Sequence, residues 1–478
     1  MKNSILFCMA AILFCSNYSF GQSGVSSGSF GVARAKFSTI GANGQYVLPA
    51  SDLFRVEEFI NYHRHDLPLP KDGKRVLLDV QDLELANGKV VFQFGLTTPR
   101  AIDPDKMPPM NIVLVVDESG SMSGEKISNL KSALTSFVER FRKTDKLTIV
   151  GFEHEARVIL ESVEKTKYKK IAAAINDIHA GGSTNLHAGL MCGYEMALKH
   201  FDKERTNRVI FLTDGNANVG VTESAEIARE STKCIKRGIS LVTIGLGVDF
   251  NHGLLRELAD SGRGVMHYVG DAKDIQKTFV DEVDSILAPA ARKVKLVIDV
   301  EGNDSGPKIY GYTPKKESTK DGTRYVFKLD DLNHGATQVV LAKTKSGHRG
   351  KATLSFVDAL TNEKVTQSIE FSNESVKNRA NKKELGRRKS KEKKQVRSVN
   401  RNYAIALLAN AIKSAAEASN NGDNKKAEKR LAKAIQKSND VCSNRNDKHV
   451  NRVLEIANKY CKLMTVQTKT DRESRFSR

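Results

Sequence analysis

The segment that decides the fold is NIVLVVDESGS, residues 111–121. It contains five consecutive apolar side chains, Ile112 to Val116, and this run ends at Asp117. A strand that is apolar on both faces is typical of a parallel sheet buried between helices. A second apolar run, Val209 to Leu212, ends shortly before Asp214. The two runs predict buried strands that each carry an aspartate at the carboxyl end.

Strand and helix patterns alternate outward from this segment. Such alternation predicts an α/β domain with a doubly wound, mainly parallel sheet covered by helices on both faces. We place this domain at residues 105–288. Its predicted strands are 111–116, 146–152, 157–160, 208–213, 239–245 and 265–269, and its predicted helices are 127–141, 168–178, 186–201, 225–236, 252–259 and 272–286.

The segments on either side of the α/β domain favour β structure. Residues 289–376 read as short strands separated by Gly, Asn and Asp turns, which is typical of a β-rich module. An N-terminal module, residues 22–104, contains a loop, a helix at 51–63 and a hairpin at 75–97. Because a lone hairpin is unstable, it is expected to join other strands. The α/β domain is therefore predicted to be inserted into, or followed by, a β-sandwich-like module.

The first 21 residues have the pattern of a secretory signal. One positive charge at Lys2 precedes a short apolar run from Ser4 to Cys15, and small residues at Ser19 and Gly21 fit a cleavage site. The run is too short to span a bilayer, and no transmembrane span is predicted. The mature protein is expected to be exported, to the periplasm, the cell surface or the extracellular space. A lipid anchor on Cys15 is a lesser alternative.

The net charge of +20 lies almost entirely in the last fifth of the chain. Residues 377–478 hold 28 basic and 10 acidic residues, whereas residues 1–376 hold 48 and 46. This asymmetry disfavours a uniformly cationic nucleic-acid binder. Residues 377–400 are predicted to be a basic linker, with a solvated linker and an exposed helix as the two alternatives for its conformation. Its run from Lys377 to Arg397 is either a solvated surface or a contact for a polyanion or an anionic surface.

Residues 401–478 are predicted to be a helical C-terminal region. Four cysteines remain after removal of the signal. A disulfide between Cys192 and Cys234 and two free thiols are equally open, whereas Cys442 and Cys461 are expected to lie too far apart to bridge.

Oxygen-bearing side chains follow the two buried strands. In an extended loop alternate side chains point the same way, so Asp117, Ser119 and Ser121 are expected to converge. Thr184 and Asp214 add a hydroxyl and a second carboxylate. If the two strands are neighbours, these groups meet at the carboxyl edge of the sheet, where open α/β folds bind ligands.

The residue types in this set suit a hard divalent cation. Oxygen donors without thiolate or imidazole favour Mg²⁺, with Mn²⁺ or Ca²⁺ as substitutes. By the same alternation, Glu118 is expected on the surface. Thr213 is expected to have a structural role, and Asn185 to support the ligands from outside.

This three-part pattern resembles the metal-ion-dependent adhesion site of von Willebrand factor type A (VWA) domains. The resemblance covers residues 105–287 and implies a Rossmann-like fold. The segment at 54–62, FRVEEFINY, is similar to a helix upstream of this domain in exported bacterial proteins. The β-module is distantly similar to that of inter-alpha-trypsin inhibitor heavy chains. The metal ligands that the resemblance implies are Asp117, Ser119, Ser121, Thr184 and Asp214.

Two carboxylates only just neutralise a divalent ion, so the metal can also accept an acidic side chain from a partner. We therefore expect an exported, non-enzymatic adhesion protein whose Mg²⁺ captures an Asp or Glu of a protein ligand. The alternative is a structural envelope-assembly protein in which the metal only stabilises the fold.

Enzymatic and nucleotide-binding functions lack the motifs that they require. Ser119 and Ser121 have no G-x-S-x-G setting, and the histidines show no H-E-x-x-H spacing. The Gly245–Gly247 turn lacks a third glycine and a phosphate-binding lysine. No aromatic residue interrupts the basic run at 377–397, so base stacking is unsupported and no specific nucleic-acid partner is expected.

Overall fold

The computed structural model of this chain describes most of the sequence after residue 50. The described residues are 33, 51–71, 73–100, 107–235, 237–247, 250–261, 266–269, 289–302, 306–345, 348–372, 385–442 and 447–476. The predicted signal at 1–21 and the predicted helix at 272–286 lie outside them, so both stay predictions. Among the described helices, none is long and apolar enough to cross a bilayer.

A six-stranded sheet forms the centre of the α/β domain. Its strand order is β5-β4-β3-β6-β7-β8, and every neighbouring pair is parallel except β4 with the edge strand β5. The doubly wound, mainly parallel sheet is therefore confirmed. The strands are β3 (Met110–Asp117), β4 (Lys146–Phe152), β5 (Ala156–Glu164), β6 (Thr206–Thr213), β7 (Ser240–Leu246) and β8 (Met266–Val269).

Helices cover both faces of this sheet, as the alternating pattern predicts. Side chains of β3 divide between the faces: Ile112 and Leu114 pack in one core, and Val113 and Val115 pack in the other. Helices α2 (Glu125–Glu139) and α3 (Tyr168–Asn176) cover the first face. The second face is covered by α4 (Leu186–Lys199), α5 (Ser224–Ile235) and α6 (His252–Ser261).

Two further sheets form the β-sandwich, and their facing sides enclose a separate apolar core. The hairpin of β1 (Leu77–Glu84) and β2 (Val90–Thr97) pairs through β2 with β14 (Thr337–Thr344), which lies far downstream. The α/β domain is thus inserted between two parts of one sandwich. The other strands are β9 (Pro289–Glu301), β10 (Lys308–Tyr310), β11 (Lys315–Ser318), β12 (Gly322–Lys328), β13 (Leu332–Asn333), β14 (Thr337–Thr344), β15 (Arg349–Asp358) and β16 (Lys364–Ser372).

Three C-terminal helices pack on the outer side of this sandwich. They are α7 (Leu385–Asn420), α8 (Asn424–Val441) and α9 (Lys448–Phe476). The ring of Tyr403 on α7 meets that of Tyr310 edge-on at 5.7 Å between centroids. The ring of Tyr460 on α9 meets Phe54 in the same way at 5.6 Å.

The structure distinguishes between alternatives at one predicted element and differs from the prediction at another. Helix α7 begins at Leu385, so the described part of the basic segment at 377–400 is helical, because Lys, Arg and Glu are good helix formers even without an apolar face. The predicted helix at 51–63 is a 3-10 turn at Ser51–Leu53 followed by α1 (Val56–Asn61). All four described cysteines are free thiols.

Candidate metal site

Asp117 ends strand β3 and is fully buried. Its Oδ1 accepts a hydrogen bond from the Ser119 backbone N–H at 2.8 Å, and its Oδ2 accepts one from Thr213 Oγ1 at 2.5 Å. Burial raises the pKa of this carboxyl above its ordinary value, and these two hydrogen bonds oppose that rise. Thr213, expected to be structural, thus holds Asp117 directly.

Asp214 lies beside Asp117 because β3 and β6 are adjacent parallel strands. Ser121 Oγ donates to Asp214 Oδ1 at 2.6 Å and lies 3.0 Å from Ser119 Oγ. Ser121 is exposed, whereas Asp117, Ser119 and Asp214 are buried. The four side chains form a continuous group of oxygens that reaches solvent at Ser121.

Thr184 comes to the same place on the loop that precedes helix α4. Its backbone N–H donates to Asn218 Oδ1 at 2.8 Å. Thr184 Oγ1 and Ser121 Oγ both lie within 4 Å of the point where a β-carbon on Gly215 would stand. The structure therefore brings all five predicted residues to one edge of the sheet.

Two backbone hydrogen bonds tie the Thr184 loop to the loop after β3. Gly120 N–H donates to the Gly182 carbonyl at 3.1 Å, and Gly181 N–H donates to the Glu118 carbonyl at 2.7 Å. Asn185 Oδ1 accepts from Ala188 N–H at 3.1 Å and so caps helix α4. Asn185 thus fixes the start of helix α4, next to Thr184, and its role toward the metal ligands stays a prediction.

The surface position predicted for Glu118 is wrong, because its side chain is 2% exposed. Its carboxylate accepts from Arg157 Nε at 3.0 Å, from Arg157 Nη2 at 2.8 Å and from the His179 backbone N–H at 2.9 Å. Glu118 does point away from Ser119, but strand β5 and the loop after α3 cover that side. The sequence feature that is related to this burial is Gly151. A β-carbon at position 151 would collide with the Glu118 carboxylate, so glycine leaves the space that this side chain fills.

Lys126, which sequence reasoning missed, places an ammonium group in the site. Its ammonium group contacts Asp214 Oδ2 and donates to the Ser121 carbonyl at 3.1 Å. The lysine lies in the first turn of helix α2, five positions after Ser121. Lys126 therefore places a positive charge next to Ser121 and Asp214, two of the predicted metal ligands.

The donor set fits a hard divalent cation. It offers two carboxylates and three hydroxyls, which are the oxygen ligands that Mg²⁺ and Ca²⁺ use. Within the described residues, no group of three or more His, Cys, Asp or Glu side chains could hold a metal. Any cation at this edge would therefore depend on hydroxyl oxygens as well as on Asp117 and Asp214.

The serine hydroxyls of the site bond with each other and with Asp214, not with histidine. His154 Nδ1 lies 3.4 Å from the hydroxyl of Ser183, and His187 Nε2 lies 2.6 Å from Glu230. The described histidines therefore do not form a nucleophile–base pair with Ser119 or Ser121.

Replacing Lys126 with Gln is expected to strengthen Mg²⁺ binding, because the metal no longer competes with an ammonium group for Asp214. Hydrogen bonds to charged groups contribute about 1.5–3 kcal/mol. We expect the dissociation constant from titration calorimetry to fall about tenfold, or about 1.4 kcal/mol. The matched control is Lys131→Gln on the same helix, whose ammonium donates to the Asn176 carbonyl. Unchanged or weaker Mg²⁺ binding by Lys126→Gln would contradict this role.

Comparison with known proteins agrees with this fold. Residues 111–281 match the model of the von Willebrand factor type A domain. Uncharacterized protein YfbK of Escherichia coli strain K12 is 32% identical over 266 residues, which is 53% of this chain and 46% of YfbK. Inter-alpha-trypsin inhibitor heavy chain H2 of Sus scrofa is 27% identical over 48% of this chain and 25% of its own.

A solved von Willebrand factor type A structure from Catenulispora acidiphila is 16% identical, covers 78% of this chain and 89% of its own, and has a TM-score of 0.49. The chain spans less than half the length of the curated relatives named above.

The α/β domain is thus a VWA domain, and relatives of the chain include YfbK and the inter-alpha-trypsin inhibitor heavy chains. VWA domains typically mediate protein interaction or adhesion. They are generally non-enzymatic.

Proposed function

We propose that this chain is an exported binding protein that captures an acidic side chain of a protein partner through a divalent cation. Asp117, Ser119, Ser121, Thr184 and Asp214 hold the cation, with Mg²⁺ preferred. The observation that carries this proposal is the convergence of five oxygen side chains that include only two carboxylates. The cation supplies an electrophilic centre for a carboxylate from outside.

The exposure of the site supports binding rather than ion storage. Ser121, Gly120 and Gly182 are exposed, so the site lies next to solvent where the two hydrogen-bonded loops meet. Three hydroxyls add no negative charge to that of Asp117 and Asp214. A bound divalent ion therefore keeps the capacity to attract a further anion.

Export is proposed from the N-terminal sequence alone. Lys2, the apolar run to Cys15 and the small residues at Ser19 and Gly21 have the order of a secretory signal. The periplasm, the cell surface and the extracellular space all agree with this order.

The alternative is an envelope-assembly protein in which the metal only stabilises the fold. The observation that favours it is an ion-pair network between the VWA domain and the flanking elements. Arg256 on α6 lies 3.2 Å from Glu58 on α1 and 3.7 Å from Asp330 of the sandwich. Arg256 and Glu58 are buried, so this network fixes the VWA domain against its scaffold.

Partner capture with and without a chelator tests the proposal. We expect the wild-type chain to retain a protein partner in Mg²⁺ and to release it in chelator, and we expect Asp214→Ala to retain little in either condition. The matched control is Asp440→Ala, which removes an exposed carboxylate on α8. Undiminished capture by wild type in chelator, or by Asp214→Ala in Mg²⁺, would overturn the adhesion proposal. Lower thermal stability of Asp214→Ala with intact assembly would favour the alternative.

A further inference from the structure

Between Lys425 and Lys437, helix α8 (Asn424–Val441) presents a basic face to solvent. It carries six basic and two acidic residues. At 100° per residue the six basic side chains fall within an arc of about 140°. They extend over about 18 Å of helix. All six are exposed, and they are Lys425, Lys426, Lys429, Arg430, Lys433 and Lys437.

The opposite face of helix α8 is packed against the rest of the protein. Ala427, Leu431 and Ser438 are buried, and Ala434 and Ile435 pack against the same core. Helix α8 therefore cannot turn its apolar side outward, and its basic face has a fixed orientation. The packing of the apolar face thus directs the six basic side chains to solvent.

Three lysines of the sandwich extend this face beyond Lys437. Lys308 on β10 and Lys343 on β14 are direct cross-strand partners. Lys89 lies diagonally across from Lys343, two residues before its partner Val91. Burial lowers the pKa of Lys343 below its ordinary value, and the charges of Lys308, Lys89 and Lys437 lower it further.

Like charges placed directly opposite in a sheet are destabilising. The chain keeps Lys308 opposite Lys343 nevertheless, with Lys308 over the ring of Tyr310 at 5.1 Å and Lys343 over that of Tyr403 at 5.9 Å. An external anion would relieve this repulsion. We call the nine residues, six on α8 with Lys89, Lys308 and Lys343, the basic surface.

The chemistry of the basic surface favours one kind of anion. Eight of its nine residues are lysines, which act as hydrated point charges rather than as bidentate forks for a single phosphate. The six residues on α8 are in the range of four to eight that marks anionic-lipid binding by an amphipathic helix. No aromatic residue occurs on α8, so single-stranded nucleic acid has no base to stack on.

We propose that the basic surface docks the protein on an anionic lipid bilayer, with helix α8 lying parallel to the headgroups. The contact is electrostatic and superficial, because the apolar face of α8 is occupied. It is independent of the metal site and of the adhesion function proposed above.

Vesicle co-sedimentation tests this proposal with the full chain. We expect binding to phosphatidylcholine vesicles that contain roughly one third phosphatidylglycerol, and little binding to phosphatidylcholine alone. Replacing Lys426, Lys429 and Lys433 together with Gln is expected to lower the partition coefficient about 100-fold, at about fivefold per lysine. Binding of the wild type is also expected to fall as salt rises.

A matched control removes the same charge elsewhere. Lys169, Lys170 and Lys320 are exposed lysines of the VWA domain and the sandwich, and their triple Gln variant is expected to bind anionic vesicles nearly as well as wild type. Equal losses in both triple variants would overturn the proposal, because net charge alone would then explain binding. Binding of heparin or nucleic acid through Lys426, Lys429 and Lys433 without vesicle binding would overturn it as well.

Discussion

Replacing Asp117 with Ala is expected to lower the affinity for Mg²⁺ by at least about 100-fold. Losses of 10- to 100-fold are typical when only an outer hydrogen-bond partner of a metal ligand is removed, so loss of a ligand should cost more. Asp117 also positions the loop, since it accepts hydrogen bonds from Ser119 and Thr213. Titration calorimetry measures the affinity directly.

Thermal unfolding gives a second readout for the same variant. Mg²⁺ at about 100 times its dissociation constant should stabilise the wild-type chain by about 2.7 kcal/mol. We expect the Asp117→Ala variant to gain almost nothing from the same concentration, whereas Asp440→Ala should gain as much as wild type. A full Mg²⁺-dependent gain in Asp117→Ala would show that the metal binds elsewhere.

Replacing Glu118 with Ala is expected to lower the free energy of unfolding by about 2 kcal/mol, because it removes a buried carboxylate that accepts hydrogen bonds from three donors. Two of these donors belong to Arg157, and the third is the His179 backbone N–H. Because Glu118 links the loop after β3 to the loop that leads to Thr184, Mg²⁺ affinity should fall too. Urea unfolding and calorimetry measure the two effects.

Asp177→Ala is the matched control for Glu118→Ala. Asp177 binds the same guanidinium, with its Oδ2 at 2.8 Å from Arg157 Nη1, but it is 62% exposed. Exposed ion pairs contribute about 0–1 kcal/mol, so this variant should lose little stability. Similar losses in both variants would mean that burial of Glu118 has no special effect, which would contradict the structural role assigned here.

The sequence predicted the central sheet and the convergence of its polar residues. Continuous apolar runs before Asp117 and Asp214 were sufficient, because such strands are buried and parallel and their carboxyl ends share one edge. Glu118 was misplaced because residue alternation fixes the direction of a side chain and not what covers it. Arg157 comes from a later strand, and only tertiary structure brings it to Glu118.

Lys126 was missed for a different reason. A lysine in the first turn of a helix is ordinarily a solvated residue, and its contact with Asp214 depends on how helix α2 follows the loop after β3. Charge density at 377–400 is compatible with a solvated linker and with a helix, so the sequence alone did not decide between them. The residue boundaries proposed for the domains stay predictions.

The insertion of the VWA domain into the sandwich determines which strands are available to pair at each stage of synthesis. Thr97 at the end of β2 pairs with Thr337, which follows 240 positions later. All strand pairs of the VWA domain lie within residues 110–269, so this domain can fold before β14 exists.

At typical synthesis rates, roughly 10 to 50 s pass between the synthesis of β2 and the synthesis of its partner strand β14. A folded insert then replaces a long flexible loop and reduces the entropy lost when the two strands meet. In a chain that emerges N-terminus first, all strands of the VWA domain are therefore available to pair before the sandwich that holds it can close.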